Sequence, residues 1–211
     1  IAKHNAGCSL MRDPSHAATV VRAMSETVSI PVTVKMRAGW DDDSINAPTM
    51  ARMMEDAGAA AVAVHGRTAK QSYKGVSDWS LIDKVASTVS IPVFGSGDCV
   101  TPEQVVERVS NSAVSGVLVG RGALCNPWIF QQAQDLASGL KVRVVTPNDR
   151  GQFLLDYIDL LLHEGIEEAN GFRHSAVKTD ARQVLSVRTR LRRERWVVNK
   201  LRALGSWYTK G

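Results

Sequence analysis

Four short runs of apolar, mostly β-branched residues recur along the first 120 positions and predict four buried strands. They span residues 31–36, 60–64, 91–94 and 116–119. Successive runs begin about 25–30 residues apart, which is the length of a strand–helix–strand crossover. Continuous apolar runs are typical of strands that are buried on both faces of a parallel sheet. The pattern therefore predicts four consecutive βα units of a parallel sheet or barrel.

Segments with apolar residues at helical spacing separate these runs and predict the helices of the βα units. They cover residues 14–28, 47–57, 78–88, 101–110 and 126–137. Asp13 before Pro14, and Thr101 before Pro102, are typical of a helix N-cap followed by proline at the first helical position. The remaining residues of this region, including 1–13, 39–43 and 66–77, are expected to be loops.

The C-terminal part of the chain follows a different pattern. Residues 139–149, with Gly139 and Pro147, predict a linker, and three helical patterns follow at 149–168, 172–187 and 188–205. We therefore predict a fold of the α/β class with two domains: a partial barrel over residues 1–140 and a small all-helical domain over residues 141–211. The chain starts without Met and ends in mid-pattern, so we expect it to be a fragment of a longer protein, with the helical domain truncated.

Composition and cysteine content exclude several classes of protein. Apolar residues make up 44% of the chain, yet no run approaches the length of a membrane helix, and we expect no membrane contact. The three cysteines are odd in number and widely spaced, which favours a reducing, cytoplasmic environment over a disulfide framework or a zinc site. The run Asp41-Asp-Asp43 is interpreted as an exposed loop, so no metal site is predicted.

Charge is divided unevenly between the two parts of the chain. Residues 1–170 contain 15 Lys/Arg and 19 Asp/Glu, whereas residues 171–211 contain 11 Lys/Arg and only Asp180 and Glu194, a net charge of +9. This asymmetry favours a basic arm that binds a polyanion, in particular nucleic acid, over a solvated helix face.

Polar and charged side chains stand at the C-terminal ends of the first two predicted strands. Lys35 and Arg37 end the first strand, and His65 follows the second. A lysine at such a position can stabilise an anion, for example a reduced flavin, although a surface lysine with a snorkelling stem is the alternative. His65 fits a hydrogen bond to the same ligand, with a purely structural histidine as the alternative.

Glycine-rich turns follow the third and fourth predicted strands. Their sequences are GSGD (residues 95–98) and GRG (residues 120–122). Glycines between a strand and a helix leave backbone N–H groups free to bind phosphate, and Arg121 adds a positive charge. In eight-stranded α/β barrels the last two strands build the phosphate site. The two turns therefore predict a phosphate-binding site, with ordinary tight turns as the alternative.

These motifs together resemble the tRNA-dihydrouridine synthase family, in particular its bacterial-type branch. The matching segments are PVTVKMRAGW (31–40), VHGRT (64–68), IPVFGSGD (91–98), GRGA (120–123), NPWIF (126–130) and WYTKG (207–211). The resemblance implies the C-terminal half of a (β/α)8 TIM-type barrel that binds FMN, with strands five to eight present, followed by an all-helical domain that binds tRNA. It implies no protein partner.

The activity implied by the resemblance is the FMN-dependent reduction of uridine to 5,6-dihydrouridine in tRNA, with NADPH as the reductant. The family's catalytic cysteine lies in an Asn-x-Gly-Cys-Pro motif, which we expect upstream of Ile1. The chain would then contain no catalytic residue, and by itself we expect it to be inactive. Cys8 is not assigned the role of that cysteine.

Individual residues carry over from the resemblance. The implied FMN contacts are Lys35, His65, Ser96, Gly97, Asp98, Gly120 and Arg121, of which the last five surround the phosphate. Ser96 stands where the family usually has Asn. Arg37 is the implied contact to the uracil. The implied contacts to tRNA phosphates are Arg188, Arg190, Arg192 and Arg193.

Two other functions remain open at the level of sequence. One is a different FMN-dependent TIM-barrel oxidoreductase that acts on a small molecule; the basic C-terminal segment speaks against it. The other is a non-catalytic RNA-binding remnant, which the missing cysteine motif favours for these 211 residues.

Overall fold

The computed structural model of the protein describes residues 6–163, 165–168, 174–177 and 187–209, with side chains described over 6–163 and 193–209. The chain divides into two compact units. The first comprises residues 1–123 and 129–141, and the second residues 124–128 and 142–211.

A four-stranded parallel sheet forms the centre of the first unit. Its strands are β1 (Thr33–Arg37), β2 (Ala61–His65), β3 (Val93–Ser96) and β4 (Gly116–Leu118), paired in the order β1-β2-β3-β4. The four predicted strands and their parallel arrangement are confirmed. The first three strands begin one to two residues later than predicted. Gly95 and Ser96 consequently belong to β3 itself, and the prediction that the third strand ends at Phe94 is wrong.

Helices precede, separate and follow the strands, and all but one five-residue helix are predicted by the apolar spacing. They are α1 (Pro14–Thr27), α2 (Ala47–Asp56), α3 (Trp79–Ala86), α4 (Pro102–Ser110), α5 (Arg121–Cys125) and α6 (Ile129–Ala137). Asp13 caps α1 by accepting a hydrogen bond from the His16 N–H at 3.0 Å, and Thr101 and Gln104 form a capping box at α4. Gly58, with φ of +92°, follows α2 in a conformation that favours glycine.

Two kinds of short helix were not predicted. A 3-10 helix covers Gly7–Arg12 and another covers Asp42–Ser44, and α5 spans five residues immediately after Gly120. Segments of three to six residues complete at most two helical turns, so they leave no periodic apolar pattern in the sequence. The prediction that residues 1–13 and 39–43 are wholly loop is wrong at these positions.

The core of the first unit lies on one face of the sheet, between the strands and helices α1 to α3. Met36, Val64 and Val93 are at most 4% exposed on this face, together with buried side chains of the helices. A Cβ at Gly95 would lie 2.4 Å from the Trp79 ring, so only glycine allows β3 to pack against that ring. The Trp79 indole N–H also donates to the Gly97 carbonyl at 3.0 Å. Core packing thus fixes the turn after β3.

The opposite face of the sheet is the more accessible one. Lys35 and Leu118 are exposed, and Ala63 and Phe94 are half-buried. The expectation that these strands are buried on both faces is therefore wrong for the described residues. The accessible face carries most of the polar groups that the sequence pointed to.

The second unit is mainly helical. Its long helices are α7 (Pro147–His163) and α8 (Val187–Tyr208), and a short antiparallel pair, β5 (Gly165–Glu168) and β6 (His174–Val177), is present in addition. The predicted helix 149–168 ends at His163, and the predicted helix 172–187 is wrong at the four residues of β6. Gly165 is a poor helix former, and pairing of β5 with β6 prevails over weak local helical spacing. The two long helices confirm the helical character of this part.

Aromatic side chains join α7 to α8. Phe153 stacks on Tyr208 with ring centroids 5.5 Å apart, and Trp128 meets Phe153 edge-on at 5.6 Å. The Tyr208 hydroxyl donates to the Arg150 carbonyl at 3.0 Å, and the Arg150 guanidinium donates to the Tyr208 carbonyl at 3.4 Å.

Over the described part of the chain, none of the helices has the length and apolar character needed to cross a membrane.

Candidate functional site

A cavity of about 220 Å³ lies at the C-terminal ends of the four parallel strands. Its lining includes every residue of the first unit that the sequence singled out for cofactor or uracil binding: Lys35, Arg37, His65, Ser96, Gly97, Asp98, Gly120 and Arg121. Tyr73, Cys99 and Leu118 also line it. The structure therefore brings together residues that are up to 86 positions apart in the sequence, from Lys35 to Arg121.

Strand register explains why these side chains meet. Arg37 pairs with His65, His65 with Ser96, and Ser96 with Leu118, so one row of residues crosses the ends of all four strands. Lys35 lies two residues before Arg37 and therefore projects from the same face of the sheet. The row and Lys35 together form the floor of the cavity.

Lys35 contributes a cation to the cavity. Among the residues that the structure describes, its ammonium makes no hydrogen bond and no ion pair. Partial desolvation at the cavity, followed by the charge on Arg37, lowers the pKa of Lys35 below its ordinary value. Both influences favour the neutral amine and would be relieved by an anion, so the position suits a negatively charged ligand.

Arg37 holds the loop between β2 and α3, residues 66–78. Its Nη1 donates to the carbonyl oxygens of Thr68 at 3.1 Å and Ser72 at 3.3 Å. The described residues supply no partner for its Nε and Nη2. Arg37 can therefore support the loop and still offer hydrogen bonds to a ligand.

Asp98 is the anionic centre of the site. Its carboxylate accepts hydrogen bonds from Arg67 Nη2 at 2.8 Å, from the Ser77 N–H at 2.7 Å and from Arg121 Nη2 at 3.2 Å. Burial acts to raise the pKa of Asp98, but the Ser77 N–H and the two arginines outweigh it and hold the pKa below its ordinary value. The carboxylate is thus committed to partners within the protein.

The backbone of the same turn adopts a left-handed conformation. Gly97 has φ of +124° and Asp98 has φ of +55°. A Cβ at Gly97 would lie 2.3 Å from the Ser77 Oγ, so this position requires glycine for two reasons. Consecutive N–H groups in such turns form concavities that bind anions.

Arg121 lies at the start of α5 and faces both an anion and an aromatic ring. Its guanidinium lies 5.1 Å from the centre of the Tyr73 ring, in addition to its contact with Asp98. Tyr73 is 64% exposed, and Arg121 is 37% exposed at its side chain. The pair leaves the guanidinium accessible from the cavity.

His65 is held neutral by its surroundings. It is 9% exposed, and burial, then the charges on Arg37, Lys35 and Arg67, lower its pKa to about 4, against a smaller opposite effect of Asp98. The imidazole therefore acts as a hydrogen-bonding group rather than as a cation near neutral pH.

Arg67 and Tyr73 were not assigned a role from the sequence. Arg67 is 2% exposed, and it contacts Asp98 and His65. Arg67 lies two residues beyond the end of a strand and next to Gly66. A cation at a strand end is the pattern that indicates a role for Arg37 and Arg121, and it applies equally to Arg67. Tyr73 has no comparable signal, because only the folded loop brings it to Arg121.

Cys99 lines the cavity but is enclosed. It is 4% exposed, its thiol donates to the Gly97 carbonyl at 3.6 Å, and burial raises its pKa to about 11.

Asp41, in the acidic run, forms an ion pair with Lys70 at 2.7 Å. Within the described ranges, no group of three or more His, Cys, Asp or Glu side chains is arranged to hold a metal ion.

The predicted tRNA contacts lie on α8 of the second unit. Arg188, Arg190 and Arg192 belong to this helix, but their side chains are outside the described residues. Arg193 donates through Nε to the Leu161 carbonyl at 2.6 Å, and its guanidinium lies 5.0 Å from the Trp196 ring. Arg193 thus fastens α8 to the end of α7, a structural role that the sequence did not indicate.

Several curated bacterial proteins are similar to this chain. A probable tRNA-dihydrouridine synthase of Rickettsia bellii is 47% identical over 126 residues, covering 60% of this chain and 39% of the relative. tRNA-dihydrouridine synthase B of Xanthomonas campestris is 42% identical, covering 64% and 41%. A probable tRNA-dihydrouridine synthase of Rhodobacter capsulatus is 36% identical, covering 74% and 48%. The chain thus spans about two fifths to one half of the length of these relatives.

A family model described as dihydrouridine synthase matches residues 1–201, nearly the whole chain. The family has the TIM-barrel fold, and the four parallel βα units followed by helices agree with part of such a barrel and a helical part. The predicted fold class and the suspected family are both confirmed. The chain belongs to the dihydrouridine synthase family.

Proposed function

We propose that the whole protein to which this chain belongs reduces uridine to 5,6-dihydrouridine in tRNA, with FMN bound in the cavity of the first unit and NADPH as the reductant. The observation that carries the proposal is the convergence of Lys35, His65 and Arg121 on one cavity at the strand ends, within a chain of the dihydrouridine synthase family. Residues 1–140 would be the FMN-binding partial barrel, and residues 141–211 the tRNA-binding domain.

The residues of the cavity fit an anionic, phosphate-bearing cofactor. Three lining side chains are cationic, Lys35, Arg37 and Arg121, whereas the carboxylate of Asp98 is already bonded to two arginines. The ammonium of Lys35 has no partner in the described part of the chain. The left-handed turn at Gly97 lines the same cavity and offers backbone N–H groups to the ligand.

Each residue then has a distinct task in binding. Lys35 contacts the anionic part of the cofactor, and His65 gives it a hydrogen bond. The phosphate is bound by the Ser96 hydroxyl, the Arg121 guanidinium and the backbone N–H groups at Gly97, Asp98 and Gly120. Asp98 binds the phosphate through its backbone N–H only. Its carboxylate accepts hydrogen bonds from Arg67 and Arg121 and would repel a phosphate.

FMN, when bound, would supply the transfer of a hydride from NADPH to the uracil ring, and the proton that completes the reduction would come from the family's catalytic cysteine. Arg37 binds the uracil through the guanidinium nitrogens that the 66–78 loop leaves available. A base inside the tRNA fold cannot reach the cavity, so the uridine must leave its stack. Cys99 is not assigned as the proton donor, because its thiol is buried against the Gly97 carbonyl.

The basic helix α8 would hold the tRNA. Seven Lys and Arg residues and one acidic residue, Glu194, lie between Val187 and Tyr208. Such a helix suits the phosphate backbone, which dominates the affinity of proteins for nucleic acids. The names of the relatives also favour tRNA over a small-molecule substrate. A cytoplasmic location stays a prediction.

The proposal is tested by incubating the purified full-length protein with FMN, NADPH and an unmodified tRNA transcript. We expect dihydrouridine, detected by mass spectrometry of the digested tRNA, only when protein and NADPH are both present. NADPH oxidation without dihydrouridine would indicate a flavin oxidoreductase with another substrate. Binding of tRNA without either reaction would indicate a non-catalytic RNA-binding protein. Each of these two results contradicts the proposal.

A further inference from the structure

Arg67 uses all three of its guanidinium nitrogens in contacts around the cavity. Nε donates to the Lys74 carbonyl at 3.1 Å, and Nη2 donates to the Gly75 carbonyl at 2.7 Å and to Asp98. Nη1 lies 3.4 Å from Nε2 of His65. The side chain is 3% exposed, so these contacts replace water around the charge.

The contact with His65 determines where the proton of the imidazole lies. A guanidinium has only donors, so Nε2 of His65 must be the acceptor. In a neutral imidazole the proton is then on Nδ1. The described residues supply no partner for Nδ1, and the only enclosed side-chain N or O atom without a partner among them is Oδ1 of Asn46. Nδ1 is therefore accessible, and His65 lines the cavity.

We propose that Arg67 is a positioning residue that holds His65 as the Nδ1–H tautomer, so that His65 presents a neutral hydrogen-bond donor to an oxygen atom of the ligand. A carbonyl or phosphate oxygen satisfies this donor, whereas an N–H group of a ligand does not. The inference adds a positioning residue to the proposed function. Only its last step, in which the oxygen atom belongs to FMN, rests on that proposed function.

The charges around His65 support this assignment. Lys35 and Arg37 on β1, together with Arg67, disfavour the imidazolium form, and Asp98 is the only opposing charge among the groups that shift its pKa. Because Asp98 is bonded to Arg67 and Arg121, it does not offer a carboxylate to His65. These charges disfavour a second proton on the imidazole ring, so His65 stays neutral. The hydrogen bond from Arg67 then determines which ring nitrogen carries the single proton.

The tautomer can be read directly by long-range ¹H–¹⁵N correlation spectra of protein labelled at histidine. The signals of His65 are identified by their loss in His65→Gln. We expect the unchanged protein, without any ligand, to show a protonated Nδ1 and an unprotonated Nε2 at neutral pH. An Nε2–H tautomer would overturn the inference, and this measurement needs no variant of Arg67.

The role of Arg67 is tested by Arg67→Met, with Arg22→Met on the exposed side of α1 as the matched control. We expect the Nδ1–H form to become a mixture of tautomers in Arg67→Met and to stay unchanged in Arg22→Met. A pure Nδ1–H form in a folded Arg67→Met protein would overturn the inference. Arg67→Gln, whose amide can face Nε2 of His65 with either its N–H or its oxygen and so imposes no tautomer, replaces Arg67→Met if that variant does not fold, and the same mixture is expected. Titration with FMN tests the proposed function separately, since the tautomer is measured without it.

Discussion

Arg67 and Asp98 form an ion pair that joins the residues after β2 to the turn after β3. A single guanidinium nitrogen, Nη2, lies 2.8 Å from each oxygen of the carboxylate. The same carboxylate accepts hydrogen bonds from the Ser77 N–H, at the end of the loop, and from Arg121 on α5. The two ends of the 66–78 loop and the start of α5 are therefore anchored to one carboxylate.

Loss of the Asp98 charge should destabilise the first unit. We expect Asp98→Asn to lower the free energy of unfolding by roughly 2–4 kcal/mol, because the nearly buried guanidinium of Arg67 loses its counter-charge. Asp43→Asn, at an exposed position of the short 3-10 helix after β1, is the control and should change stability by less than about 0.5 kcal/mol. Urea unfolding of both variants measures the difference. Equal midpoints would show that the ion pair does not hold the site together.

Removal of the Lys35 ammonium should weaken FMN binding. We expect Lys35→Ala to raise the dissociation constant roughly 10- to 100-fold, the range for one hydrogen bond to a charged group. Quenching of flavin fluorescence in a titration measures the affinity. Lys84→Ala, which removes an exposed lysine of α3, should bind FMN as the unchanged protein does. If the two variants bind equally well, Lys35 is not part of the site.

The neutral state of His65 makes stability depend on pH. Its pKa is about 4 in the folded protein and 6.5 in a model compound. Between these values the unfolded chain binds the extra proton and the folded protein does not, so stability falls as the pH falls. From about pH 7.5 to about pH 5 this histidine should account for a loss of about 2 kcal/mol.

Carboxylates with lowered pKa values, such as Asp98, also reduce stability in acid, so the effect of His65 must be isolated as a difference. We expect His65→Gln to show a smaller loss of unfolding free energy over the same pH range than the unchanged protein. His16→Gln, at an exposed position of α1, should retain the full loss. An identical pH dependence in all three proteins would show that His65 gains its proton as easily when folded as when unfolded.

Cys99 should resist alkylation although it lines the cavity. A thiol with a pKa of about 11 is only about 0.1% thiolate at about pH 8, and the thiolate is the reactive form. We expect iodoacetamide to modify the half-buried Cys8 and Cys125 well before Cys99 in the native protein, and all three cysteines at similar rates in urea. Mass spectrometry of tryptic peptides gives the order. Early modification of Cys99 would show a thiol that is open to the cavity.

The sequence was sufficient to predict the strands of the first unit, because their apolar runs repeat at the length of a βα unit. It also identified most of the cavity lining, since parallel strands carry their C-terminal residues to one edge. Arg67 as an anchor could not be predicted, because its partners Lys74, Gly75 and Asp98 meet it only after the loop has folded. The same holds for Tyr73, whose contact with Arg121 joins two different βα units.

Errors in the second unit have a different origin. Helical spacing between positions 172 and 187 predicts a helix, but residues 174–177 pair with β5 instead, and pairing partners are not visible in a local pattern. Arg193 was grouped with its neighbours because charge alone does not reveal which arginine of a basic helix packs against the protein. Its bond to the Leu161 carbonyl makes that distinction.

The distinction yields a sharper test of RNA binding by α8. If Arg190 and Arg192 meet tRNA phosphates, binding releases counterions, and the affinity falls steeply with salt. We expect the double variant Arg190→Ala/Arg192→Ala to weaken tRNA binding and to flatten the slope of log K against log salt by roughly one unit for each phosphate that an arginine no longer neutralises. Filter binding at several salt concentrations measures both quantities.

The control for this experiment must remove the same charge elsewhere. The double variant Arg22→Ala/Lys84→Ala loses two exposed cations of the first unit and should leave the salt slope unchanged. Arg193→Ala should instead lower thermal stability, because α8 loses its bond to α7.

NADPH oxidation by FMN-loaded protein without tRNA should stay unchanged in Arg190→Ala/Arg192→Ala, since those residues are remote in sequence from the cavity lining. An unchanged slope would mean that this face of α8 is only solvated. A collapse of NADPH oxidation would mean that these arginines support the fold. Either result contradicts the proposal that the barrel catalyses the reaction while α8 binds the RNA.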